Sequence, residues 1–187
     1  MELLRTRRTY RRFSQREIPQ SVIDEILLSA TCASSAANLQ PLRYGVIKSS
    51  ALVKELSKTV RWAAYLPREQ GTPAADEYPT LFIAVIQDLA ISKKCDLDVG
   101  LAVSNMTLAA WSCGVGSCIL GSFNRDRMNS LLQLPESQIV HTLIAFGYPL
   151  HKSILTDAKN GEIKYSVNDT GDFVVPKRTV EQIVFYL

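Results

Sequence analysis

Six arginines, Arg5, Arg7, Arg8, Arg11, Arg12 and Arg16, fall within the first sixteen residues, with Thr9 among them. Guanidinium groups two to four residues apart can converge on one phosphate as charge-assisted donors, and the Thr9 hydroxyl adds a neutral one. A second set, Ser34, Ser35, Asn38 and Gln40, lies in the run Ala33-Ser34-Ser35-Ala36-Ala37-Asn38-Leu39-Gln40-Pro41. Asn and Gln each present a donor and an acceptor, the pair needed to read the edge of a heterocycle or the hydroxyls of a polyol. The third is Gly114-Val115-Gly116-Ser117-Cys118-Ile119-Leu120-Gly121. It turns sharply and then runs to another glycine, so its main chain can lie against a flat ligand without side-chain obstruction. Lys177 and Arg178 add positive charge near the C-terminal end. Each has a plainer alternative: a solvated basic terminus, a capped loop, a helix stop before an ordinary buried strand, and surface charge.

Other chemistries are poorly supplied. Cys32, Cys95, Cys113 and Cys118 show no metal-ligand spacing, and only His141 and His151 could join them, so buried free thiols are expected in place of a zinc site. No catalytic triad is evident. His141 falls inside an apolar run and is expected to be a packed histidine without a role. A net charge of +3 is too small to argue for nucleic acid. With no signal-peptide core after the basic cluster and no long hydrophobic span, a cytoplasmic protein without a membrane anchor is the expectation.

The elements that must position these groups follow from periodicity. A chain of 187 residues, 47% hydrophobic and 21% charged, suits a single α+β or α/β domain over residues 1–187. Asp96 to Phe123 is the stretch around which the rest is organised. From Leu97 to Cys113 it is apolar nearly all round, the mark of a helix covered on every side, with Asp96 as its cap and Gly114 as its stop. At about 1.5 Å per residue it is near 25 Å long, short of a membrane span. A short helix is expected through Leu3 and Leu4, and an amphipathic one from Pro19 to about Cys32. Strands are expected at Arg43 to Ile47, Leu81 to Gln87 and Ile139 to Phe146. Ser49 or Ser50 is the expected cap of a helix over Ala51 to Trp62, and a short helix is expected to begin at Asn124 or Asp126 and run through Leu132. Leu66 to Pro79 reads as a surface loop, and His151 to Asp172 as polar and irregular.

Taken in order, the motifs resemble the FMN-dependent nitroreductase family along almost the whole chain. Arg7-Arg8-Thr9-Tyr10-Arg11-Arg12-Phe13 is similar to its Arg-Arg-Ser-x-Arg-x-Phe motif, Ala33 to Pro41 to its Ala-Pro-Ser-x-x-Asn-x-Gln-Pro-Trp loop, and Gly114 to Gly121 to its Gly-x-Gly-Ser-Cys-x-x-Gly segment. Gly147-Tyr148-Pro149 and Lys177-Arg178 stand where the family has a Gly-Tyr-Pro turn and a basic phosphate contact. Ser34 and Leu42 depart from the family's proline and tryptophan, and the chain is short for the family.

The resemblance implies a three-layer α/β/α fold with a mainly antiparallel central sheet, in an intertwined homodimer holding two FMN at the subunit interface. Arg7, Arg8, Thr9 and Arg11, with Lys177 and Arg178, would hold the phosphate and ribityl chain. Ser34, Ser35 and Asn38 would come from the partner subunit, with Gln40 nearby. Cys118, Ile119, Leu120 and Gly121 would lie along the isoalloxazine, a backbone N–H near Leu120 facing flavin N5. The implied activity is a ping-pong passage of hydride from NADH or NADPH through FMN to a small-molecule acceptor, a nitroaromatic or quinone, with no side chain needed as acid, base or nucleophile. The alternatives are a flavin-binding sensor or store without turnover, and a same-fold enzyme with a different flavin reaction.

Overall fold

A computed structural model describes residues 1–187. Its centre is an antiparallel sheet of β1 (Leu42–Ile47), β2 (Leu81–Asp88), β3 (Gly116–Leu120) and β4 (Gln138–Gly147), in the order β1-β2-β4-β3. All eight residues of β2 are buried, because helices cover both faces of the sheet. On one face Ile83, Val85, Ile144 and Phe146 pack with Ile23, Ile26 and Ala30 of α2 (Gln20–Thr31) and with Val99, Val103 and Met106 of α5 (Asp96–Ser112). On the other, Phe82, Ala84, Leu143 and Ala145 meet Val53 and Leu56 of α3 (Ser50–Thr59) and Met128 of α6 (Arg125–Leu131). The alternation of β2 and β4 residues between these two groups is the two-residue period of a strand covered on both sides, and each such Ile, Leu or Phe contributes about 1.5–3 kcal/mol by burial. The expected three layers are present.

Several local expectations need correction. Cys95, not Asp96, holds the N-cap position of α5, and the Asp96 carboxylate turns to His141 instead. Ser49 stands at the N-cap of α3 but its side chain makes no capping bond, and that helix stops at Thr59 because Val60 is extended. Asn124 does cap α6, its side chain accepting the Arg127 N–H at 2.9 Å. His141 is not packed away: the sheet register slips beside it between Val85 and Ile86, so it is the extra residue of a bulge and its ring reaches the surface. The stretch from Leu66 to Pro79 contains α4 (Arg68–Gly71), buries Gly71, Pro73, Tyr78 and Pro79, and accepts the Phe13 N–H at the Glu77 carbonyl, so it is an anchored wall of the domain. The region read as irregular carries β5 (Ser153–Asp157) and β6 (Ser166–Val167), which form a second sheet with β7 (Phe173–Lys177) in the order β5-β7-β6. β5 and β7 are parallel, Ser153 facing Phe173 and Asp157 facing Lys177.

Within one chain α5 is open on one side: Leu97 is 73% exposed and Leu101 39%, beside exposed Gly100 and Ser104. The helix expected to be covered all round is therefore half covered. After α7 (Val180–Ile183), Phe185, Tyr186 and Leu187 are also exposed. No helix is long and apolar enough to cross a membrane.

Candidate functional site

After the short helix α1 (Glu2–Thr6), residues 7–14 run as an extended arm beside β3, the edge strand. Thr9 bridges Ser117 in parallel, the Tyr10 N–H donating to the Ser117 carbonyl at 2.9 Å, and Phe13 bridges Pro149. Glycine permits this approach: a Cβ on Gly116 would stand 2.8 Å from both Tyr10 and Pro149, and one on Gly147 would stand 2.7 Å from Phe13. Phe13 itself is fully buried and anchors the arm.

The arm splits its cations between two sides. Arg8 lines a cleft of about 450 Å³ with Arg5, His151, Lys152 and Ser153. Arg7 lines another of about 320 Å³ with Ile119, Asp96 and His141, beside the open face of α5. Burial and then the neighbouring Arg8 push the Arg7 guanidinium below its ordinary value. Neither arginine has a carboxylate partner. Arg8 donates from Nε to the Arg7 carbonyl at 2.7 Å and from Nη2 to the Leu4 carbonyl at 3.3 Å, which fixes its head. Arg11 is committed elsewhere: its guanidinium lies 4.8 Å from the Tyr165 ring centre and 4.9 Å from that of Phe173, and its Nε donates to the Trp62 carbonyl at 3.2 Å.

His151 orders this corner. Its Nε2 accepts the Arg11 N–H at 3.0 Å while Nδ1 sits 2.8 Å from the Lys152 carbonyl, an arrangement that requires the neutral ring with the proton on Nδ1. Burial holds its pKa below the ordinary value, helped by Arg12 and Arg11 and opposed by the Lys152 bond and by Asp172.

Bare main chain lies along β3. In a strand the N–H and C=O of one residue face the same edge and alternate along the chain. Because the Ser117 carbonyl faces the arm, the groups of Ile119 face that same open edge, while those of Leu120 turn to β4. Beyond the end of the strand the Arg61 N–H donates to the Ser122 carbonyl at 3.0 Å. Ile119 is 49% exposed and nothing stands within 4 Å of a Cβ built on Gly121. Cys118 points into the core, where burial pushes its thiol up to about 11, so it is a packing residue and not a thiolate.

The amide loop contains a single 3-10 turn, Ala36–Asn38, and Ala37 and Asn38 within it and Gln40 after it have positive φ. Left-handed Ala37 is costly, and the loop is held by the Asp98 carboxylate accepting the Ala36 N–H at 3.1 Å and by Ser35 Oγ accepting the Gln40 N–H at 3.1 Å. Ser34, Ser35 and Gln40 line a small cleft with Asp98 and Tyr44, separate from the clefts of Arg7 and Arg8. A single chain thus joins the arm to β3 but does not join the loop to either. Lys177 ends β7 opposite Asp157, and Arg178 follows it, so neither lines the arm's two clefts. Two residues escaped the sequence reading: Lys152 and Ser153, next to the Gly-Tyr-Pro turn, line the Arg8 cleft, the Ser153 hydroxyl being buried.

Residues 4–148 match the Nitroreductase family model. A "Putative NADH dehydrogenase/NAD(P)H nitroreductase" of Archaeoglobus fulgidus is 31% identical over 80% of this chain and 84% of its own length. An "FMN reductase (NADPH)" of Bacillus subtilis is 23% identical, over 98% of this chain and 81% of its own. Among solved structures, the nitroreductase family protein of Streptococcus pneumoniae superposes with a TM-score of 0.72 at 18% identity, covering 100% of this chain and 98% of its own. An FMN-dependent nitroreductase of Clostridium difficile gives 0.69 at 21% identity, over 98% and 96%. At such identity the structural likeness speaks for the fold alone, and the family match speaks for descent: the chain belongs to the nitroreductase family.

Proposed function

We propose that this protein is an FMN-dependent oxidoreductase that takes hydride from NADH or NADPH and passes it to a nitroaromatic, a quinone or a similar small acceptor. The observation that carries the reading is the arm beside β3, which sets carboxylate-free guanidiniums next to an open strand edge. The residues present fit a flavin phosphate: Arg7 and Arg8 have no carboxylate partner, and the Ser153 hydroxyl is buried without a hydrogen bond. FMN, when bound, supplies the redox chemistry.

The chain's own part is positioning and electrostatics. Arg7, Arg8 and Thr9 bind the phosphate and ribityl end, Ile119 and Gly121 offer N–H groups to the ring near N5, and Arg11 braces the arm from behind. Fixed donors of this kind stabilise negative charge without reorganising. Ser34, Ser35, Asn38 and Gln40 complete the site from a second copy of the chain, and the uncovered side of α5 with the apolar C-terminal residues is the surface for that homodimer. Relatives named as an NAD(P)H nitroreductase and an FMN reductase support the same class of reaction.

The test is an absorption spectrum of the purified protein, with FMN added if needed, then anaerobic titration with NADH and NADPH and reoxidation by a nitroaromatic or quinone. Bleaching followed by recovery is expected. Flavin that binds but is never bleached makes the protein a flavin store or sensor, and a protein that takes up no FMN ends the proposal.

A further inference from the structure

A further cleft, of about 410 Å³, opens between the end of α3 and the wall that contains α4. It shares no lining residue with the clefts of Arg7, Arg8 or the amide loop. Its floor is apolar and fixed. Val60, Trp62, Ala63 and Tyr78 are each more than nine-tenths buried, and Phe82 backs the Trp62 ring at 6.5 Å between centroids. The indole and the serine beside it are already engaged: Trp62 Nε1 donates to the Ser57 carbonyl at 3.0 Å, and Ser57 Oγ donates to the Val53 carbonyl at 2.7 Å.

The wall is braced from both sides. The Gly71 N–H donates to the Pro67 carbonyl at 2.9 Å, and a Cβ on Gly71 would stand 2.8 Å from that of Ala63, so α4 sits hard against the chain that leaves α3. On the outside, Arg12 of the arm donates to the Gln70 carbonyl at 3.3 Å. A hollow held in this way is formed before any ligand arrives.

The rim carries the charge. Lys58, Arg61 and Arg68 are exposed at its edge, and none has a carboxylate partner. Arg61 Nη2 donates to the Ala64 carbonyl at 3.3 Å, which keeps its head at the cleft and leaves its charge unanswered. The nearby acids are engaged or outside: Glu55 pairs with Arg127 at 3.3 Å, Glu77 with Arg12 at 3.7 Å, and Glu69 and Asp76 do not line the cleft. Cations of one sign over a low-dielectric floor concentrate their field on the space between them. A convex basic surface would be satisfied by water alone, but here the floor gains only from an apolar body and the rim only from negative charge. One molecule with a flat apolar body and an acidic end answers both. The volume lies near the lower end of the range for small-molecule pockets, about 300–1,000 Å³, which suits one or two rings and not a dinucleotide.

We infer that this cleft binds an aromatic carboxylate, its ring on Trp62 and Tyr78 and its carboxylate among Lys58, Arg61 and Arg68, at a place separate from the proposed flavin. Calorimetric titration of the full chain with 1-naphthoate, and with 1-naphthamide as the uncharged counterpart, tests it. The acid should bind about tenfold more tightly than the amide, because its contacts with the rim are charge-assisted. Lys58→Gln and Arg68→Gln change exposed positions and leave the core intact; each should weaken naphthoate about three- to fivefold and leave naphthamide unchanged. Lys93→Gln removes an exposed cation outside the cleft and should match the parent. Saturating FMN should leave the naphthoate in place. The proposal is overturned by a parent that shows no saturable binding of naphthoate, by equal affinity for the amide, by unchanged affinity in both cleft variants, or by an equal loss in Lys93→Gln. Competition by FMN would put the cleft inside the flavin site and overturn it as well, whereas a chain that takes up naphthoate but no FMN would end the flavin reading and leave this cleft standing.

Discussion

Strands β4 and β7 are each the middle of a sheet or nearly so, yet they are held by different forces. From Thr142 to Gly147 every residue of β4 is buried, with apolar side chains from two helical layers against it. β7 buries only Phe173, and its surroundings are a guanidinium, an imidazole and a run of turn hydrogen bonds around Asn168 and Asp172. The first region is secured by area, which is non-directional and tolerant. The second is secured by a few placed contacts, and those contacts are shared with the arm that lines the candidate site. Stability and function are thus separate in the central sheet and joined in the C-terminal one.

Truncation of one phenylalanine in each sheet tests that difference most severely. Phe146→Ala empties a fully buried position in β4 and should cost about 3–5 kcal/mol in urea unfolding of the whole chain. Phe173→Ala removes a side chain just as buried. Its cost in the global transition should be smaller, because the second sheet can open while the first persists. Amide exchange should then quicken at least about tenfold across residues 153–177 and stay unchanged in β2 and β4. Equal loss of protection in both sheets would show them to be one cooperative unit.

The same division explains what could be read without coordinates. Leu81 to Gln87 announced a strand because helices on both sides demand an unbroken apolar run, and Asn124 marked where a helix begins, its side-chain oxygen being placed to meet the Arg127 N–H. Ser153 to Asp157 announced nothing: its parallel partner lies twenty positions on, and Ile154 and Leu155 remain substantially exposed. The arm and the glycine segment of the site were legible as composition, arginines and bare backbone. That Arg11 would be occupied by two rings, that Ala37 would be left-handed, and that Lys152 and Arg8 would line one cleft depend on tertiary contacts that no local pattern encodes.

Arg11 is the most direct link between the two regions. Arg11→Met keeps the length and loses the charge, and with it two cation–π contacts and the bond to Trp62, an expected cost of about 1–2 kcal/mol. A double-mutant cycle with Tyr165→Leu isolates the ring contribution. A coupling near zero would mean that the guanidinium braces nothing.

The smallest effect concerns proton binding at His151, and its sign is fixed by geometry. In the fold the ring is held neutral, because Nε2 must accept from Arg11 and because burial, Arg12 and Arg11 all disfavour the charged form more than the Lys152 carbonyl and Asp172 favour it. In the unfolded chain the same ring takes up a proton at its ordinary value of 6.5. Below that pH the unfolded state binds a proton that the folded state refuses, so stability is full above it and falls as the pH drops through the window down to the depressed folded value. Asp172, also held below its ordinary 3.8, loses its contribution only at lower pH, so the two windows do not overlap near neutrality. His151→Gln offers a carbonyl that can accept the Arg11 N–H and carries no titration, so the variant should show a flatter dependence of unfolding free energy between about pH 7 and pH 5 than the parent. The difference should concentrate in exchange of residues 153–177, since His151 touches Phe173 and the arm and not β2. Parallel pH profiles for the two proteins would mean that the imidazole is not the group through which acid reaches the second sheet, and the contrast between the sheets would then rest on Arg11 and Phe173 alone.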